Sequence, residues 1–72
     1  MTALPVVSGA DIVRALSKAG FGQIGQRGSH VKLKHADGRI VIVPMHRELA
    51  AGTLRSILRQ ARLTVDDLLA LL

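Results

Sequence analysis

Hydrophobic positions along the chain change their period twice, and each change marks a new element. Ile12, Ala15, Leu16 and Ala19 recur at helical spacing, with Arg14, Ser17 and Lys18 off that stripe. Ahead of them, Ser8-Gly9-Ala10-Asp11 fits a capping box, in which the Ser8 hydroxyl serves the first free amides and Asp11 reaches back to the cap. Gly20 stands where a left-handed residue ends a helix. The spacing therefore predicts an amphipathic helix of about three turns. From Phe21 to Val43 the period becomes two, and turn residues divide the segment into three predicted strands. The first, about Gly22 to Arg27, is weakly specified because of its glycines; the second, about His30 to His35, follows a turn at Gly28-Ser29. The third, Arg39 to Val43, is closed by Pro44, which has no N–H for a ladder bond. Helical spacing returns in Leu54, Ile57, Leu58 and Ala61, in a helix beginning near Gly52 or Thr53. Thr64-Val65-Asp66-Asp67 repeats the capping-box pattern before a last short helix through Leu68, Leu69, Leu71 and Leu72. With no repeat or linker in view, residues 1–72 read as a single α+β domain, an antiparallel sheet with helices packed on one face.

Loop length decides which side chains share a face, because a shift of one residue turns a strand over. A two-residue loop at Asp37-Gly38 pairs Leu33 with Ile42, on the face of Ile40. A three-residue loop, Ala36-Asp37-Gly38, sets Leu33 opposite Val41 and Val31 opposite Val43. A type I turn ending in a left-handed glycine suits the longer loop, with Gly38 at that position, and this register is preferred. It gives Val31, Leu33, Val41 and Val43 to the core. His30, Lys32, Lys34, Ile40 and Ile42 take the other face, which is basic and partly apolar.

Charge sharpens this picture. All ten Lys and Arg lie between Arg14 and Arg62, a stretch whose only acids are Asp37 and Glu48. Asp11, Asp66 and Asp67 fall at predicted helix starts, where negative charge offsets the helix dipole. Such a balance suits a polyanionic partner. A single aromatic residue, Phe21, argues against folds that stack bases on rows of Phe and Tyr, so backbone and shape recognition is expected. There is no cysteine, hence no disulfide framework or thiolate–zinc site. Met1 to Val7 lacks a basic region followed by an apolar run, and no stretch reaches the ~20 apolar residues of a spanning helix. A cytoplasmic protein with no membrane contact is the expectation.

Several phrases, taken in order, resemble the HicA toxins of bacterial and archaeal toxin–antitoxin systems. They are Ser8-Gly9, Gly20-Phe21, Gly28-Ser29-His30 and Asp37-Gly38-Arg39, then Val43-Pro44-Met45-His46 and the run from Gly52-Thr53-Leu54-Arg55 to Gln60-Ala61. Their order and spacing, over about Ser8 to Leu68, make the resemblance specific. It implies a fold like the double-stranded RNA-binding domain, endoribonuclease activity on messenger RNA, a HicB-type antitoxin as partner, and His30 as the catalytic residue. Two departures stand out. Arg62 replaces the glycine usual after Gln-Ala, so the helix end is expected to form differently, and Ile40 and Ile42 are more apolar than outward positions usually are.

Cleaving RNA without a metal requires a base for the 2′-hydroxyl proton, donors for the developing phosphorane charge and an acid for the leaving oxygen. Histidine suits the first or last role, since its ordinary pKa lies near neutrality. His30 follows a turn whose free amides can face a phosphate. Lys32, one strand period away, can hold the scissile phosphate, while Lys34 lies farther along and tracks the backbone. Arg27 and Ser29 flank the turn as further phosphate contacts. His46 is a candidate second acid or base, because Pro44 opposes His30 in the preferred register. Arg55, Arg59 and Arg62 form a helix stripe that fits RNA phosphates and equally fits an ordinary solvated face. Metal binding is not expected: by alternation His35 points away from His30, and no ligand spacing is present. No cofactor is expected. Two other readings stay open, a non-catalytic RNA-binding module and a partner-binding protein using Ile40 and Ile42.

Overall fold

Both capping boxes form. In the computed structural model, which describes residues 2–72, the Asp11 N–H donates to Ser8 Oγ and the Ser8 N–H to Asp11 Oδ2, each at 3.0 Å, opening α1 (Gly9–Lys18). Thr64 and Asp67 do the same for α3 (Val65–Leu71). Between them lie β1 (Phe21–Arg27), β2 (His30–His35), β3 (Ile40–Pro44) and α2 (Ala51–Ala61). The α+β order matches the pattern in the sequence. Boundaries differ by a residue or so: β1 begins at Phe21, β3 runs from Ile40 to Pro44, and α2 begins at Ala51 with no side chain capping it.

The strands form one antiparallel sheet in the order β1-β2-β3. Gly38, at φ 99°, closes the three-residue loop, with its N–H on the His35 carbonyl at 2.9 Å. Leu33 accordingly opposes Val41, and Val31 opposes Val43. All four are buried together with Ile12 and Leu16 of α1, Leu54 and Ile57 of α2 and Leu68 of α3. Each such side chain contributes roughly 1.5 to 3 kcal/mol by leaving water, so this face carries most of the stability available to so short a chain.

Three features of the core lie outside the periodic pattern. Val7 and Leu49, from irregular segments, are buried and joined by a hydrogen bond from the Leu49 N–H to the Val7 carbonyl, 2.9 Å. Phe21, at the start of β1, is also buried. Gly9 packs so closely on the end of β3 that an added Cβ would strike the Pro44 carbonyl oxygen and come within 2.9 Å of Met45 Cα. The end of α2 corrects the expectation drawn from the missing glycine, since it keeps the left-handed geometry that a glycine would take. Arg62 itself takes the left-handed conformation at φ 57°, and the Leu63 N–H reaches back to the Leu58 carbonyl at 2.9 Å.

Candidate active site

The face of the sheet away from the helices is built in rows. Antiparallel pairing sets Arg27, His30 and Pro44 across one row, Gly25, Lys32 and Ile42 across the next, and Gly22, Lys34 and Ile40 across the third. The ladder between β2 and β3 makes the side chains in these rows close neighbours. Its hydrogen bonds fall at the alternate positions, including the Met45 N–H to the Ser29 carbonyl at 2.6 Å and the His35 N–H to the Arg39 carbonyl at 2.9 Å. Across β2 and β3 the rows are thus the non-hydrogen-bonded pairs, in which side chains approach most closely.

β1 reaches this arrangement only because its register shifts. Pairing slips between Gln23 and Gly25, leaving Ile24 as the extra residue of a β-bulge, 55% exposed. Phe21 and Arg27 are six residues apart and would share a face of a regular strand. The bulge sends Phe21 to the core and Arg27 to the side of His30. The turn that follows has positive φ at Gly28, 57°, and not at Ser29, the pattern of a two-residue type II′ hairpin. Gln26 braces it, its Nε2 donating to the Gly28 carbonyl at 3.1 Å.

Arg27, His30 and Lys32 line an open concavity of about 590 Å³ with Gly25, Gln26 and Ile42. All three are exposed, and among the described residues none of their side chains makes a hydrogen bond or ion pair. No acid lines the concavity, and three of the chain's five are engaged elsewhere. The Ser8 N–H keeps the Asp11 carboxyl below its ordinary pKa, and the Thr64 N–H does the same for Asp67. The Arg39 side chain pulls Asp37 down to about 2. The concavity is therefore an unneutralised cationic site around a histidine, with cations suited to a phosphodiester and an imidazole suited to moving the proton of an adjacent hydroxyl.

The remaining expected residues sit apart. Lys34 lies on the same face one row beyond the concavity, and Ser29 in the turn beside it. His46 is exposed and does not line the concavity; its carbonyl accepts the Gly9 N–H at 2.9 Å, which ties its backbone to the start of α1. Arg55 and Arg59 are exposed on α2, whose apolar side is buried in the core, so they form a separate basic stripe. Gly25, Gln26 and Ile42 were not singled out from sequence as parts of the site. The glycines of β1 were the visible signal, since Gly within a strand often marks a bulge or a close approach. Among the described residues, no group of three or more His, Asp or Glu is placed to hold a metal ion, and no helix is long and apolar enough to cross a membrane.

A family model described as "HicA toxin of bacterial toxin-antitoxin" matches residues 9–63 of the 72-residue chain. No curated protein matches it.

Proposed function

The chain belongs to the HicA toxin family of bacterial toxin–antitoxin systems, and on that premise we propose that residues 1–72 are a single endoribonuclease domain that cleaves messenger RNA with His30. The observation that carries this reading is the concavity itself, where an exposed, unpartnered histidine lies beside the unpaired cations Arg27 and Lys32. In the proposed reaction His30 takes the proton of a ribose 2′-hydroxyl, whose oxygen attacks the adjacent phosphorus. Lys32 and Arg27 stabilise the charge gathering on the phosphoryl oxygens, and Ser29 and Lys34 hold neighbouring phosphates. The P–O5′ bond breaks, and O5′ leaves with a proton from a general acid, for which His46 is the candidate. Arg55 and Arg59 add attraction for RNA remote from the reacting bond. No step calls for a metal or cofactor.

The toxin's partner on this reading is a HicB-type antitoxin that covers His30. Ile40 and Ile42, 42% and 39% exposed beside the lysines, give it an apolar footing. The test is direct. The purified chain, incubated with messenger RNA in the presence of EDTA, should cut it, and an equimolar amount of the antitoxin should stop the reaction. RNA left intact by a folded toxin would contradict the assignment.

A further inference from the structure

A glycine inside a strand weakens it, having no side chain to pack and more backbone freedom to lose. Most glycines of this chain have a visible reason. Gly20, Gly28 and Gly38 have positive φ, and Gly9 abuts the backbone of Pro44 and Met45. Gly22, Gly25 and Gly52 have neither reason, for their φ is not positive and an added Cβ would meet nothing within 4 Å; of the three, only Gly22 and Gly25 lie within a strand. No contact within the chain requires these two to be bare, which leaves a ligand as a reason for it.

The two share a face only through the bulge at Ile24. Three residues apart, they would alternate in a regular strand; here Gly22 pairs with Lys34 and Gly25 with Lys32, on the face of His30. The result is a one-sided trough along β1, the edge strand of the sheet, with bare backbone at Gly22 and Gly25 bordered by the β2 rows of Lys34 and Lys32, and its Gly25 end opens into the His30 concavity. Successive rows are two residues apart, roughly 7 Å along the strand, comparable with the step between phosphates of an extended single strand. No acidic side chain lies on these rows.

We infer that this trough seats the sugar–phosphate backbone of single-stranded RNA and leads the scissile phosphate to His30, with Gly22 and Gly25 as the positions that keep it open. This deepens the ribonuclease reading and rests on it. The test places valine at Gly25 and, separately, at Gly22, with Gln23→Val as a control on the opposite face. Binding is measured with an unstructured 2′-O-methyl RNA, which lacks the attacking hydroxyl, and cleavage with the unmodified RNA of the same sequence. Gly25→Val should weaken binding and slow cleavage by about tenfold or more, and Gly22→Val by less. Melting temperatures should stay equal or rise, and the control should bind as the wild type does. Gly25→Ala, a smaller addition, should show the same direction and decides the matter if the valine variant does not fold. A folded Gly25 variant that binds and cleaves like the wild type would overturn the trough while leaving the ribonuclease reading intact. A variant that loses only the antitoxin would give the trough to that protein instead. Wild-type chain that neither binds nor cuts RNA would remove the ribonuclease reading, and the inference with it.

Discussion

The two hairpins of the sheet share β2 and are held in opposite ways. At the turn between β2 and β3, the polar side chains of His35, Asp37 and Arg39 all have partners. Arg39 donates to Asp37, at 2.9 Å to Oδ2, and to the Ala61 carbonyl at the end of α2, and its guanidinium lies 5.0 Å from the centre of the Phe21 ring. His35 accepts the Asp37 N–H and meets Phe21 edge-on. At the turn between β1 and β2, Arg27 and His30 have no side-chain partner among the described residues, and the backbone is held by one glutamine and by Met45. Charges of the same kind thus do different work. Arg39 is used up in tying strand to helix, whereas Arg27 and Lys32 keep their full attraction for a ligand, since no internal carboxylate has offset it.

Stability should therefore respond to changes on the tied side and ignore those on the open side. Leu33→Ala, which empties a fully buried position of the helix-facing side, should cost ~2 to 5 kcal/mol, visible as a lower midpoint in denaturant. A midpoint near that of the wild type would mean that the core does not rest on this face. Arg39→Ala removes a charged hydrogen bond to Asp37, one to Ala61 and the contact with Phe21; the expected loss is ~1 to 3 kcal/mol. An equal loss in Arg27→Ala would erase the distinction between the hairpins.

Acid should produce a smaller change with a defined window. The Arg39 side chain lowers the Asp37 pKa from 3.8 to about 2, with His35 Nδ1 also near, at 3.2 Å. A carboxyl whose pKa is depressed on folding adds stability that is complete above its unfolded value and vanishes as pH falls through the folded one. The melting temperature should accordingly fall between pH 3.8 and about 2, helped by the lowered Asp11 and Asp67. The fall should be shallower in Arg39→Ala. A pH profile unchanged by that substitution would leave Asp37 out of the effect.

Sequence patterning was most legible where one residue type had one job. The capping pairs Ser8–Asp11 and Thr64–Asp67 and the register set by Gly38 could be read from local chemistry, and Val31 and Leu33 alternate cleanly against Val41 and Val43. β1 was harder because its bulge leaves no periodic trace: Gly22 and Gly25 have no side chains to mark a face, and the strand changes faces between Phe21 and Arg27. Val7 and Leu49 join the core from segments with no period at all. The tie made by Arg39 has no local mark in the sequence, for its bond to the Ala61 carbonyl spans 22 residues. In the candidate site, His30 and Lys32 on one face followed from strand alternation and Arg27 from the turn it flanks, but the side that Arg27 takes and the shape of the concavity depended on the bulge.

The smallest expected change in stability belongs to the residue with the largest expected role. His30 is exposed and, among the described residues, its side chain makes no hydrogen bond or ion pair, so His30→Ala should melt with the wild type. Its rate of RNA cleavage, measured on the purified protein in single turnover, should fall by ~10²- to 10⁴-fold, the range typical of a lost general acid or base. RNA binding should change little, because Arg27, Lys32 and Lys34 remain. A folded His30→Ala protein that cuts RNA at the wild-type rate would contradict the account and turn attention to His46.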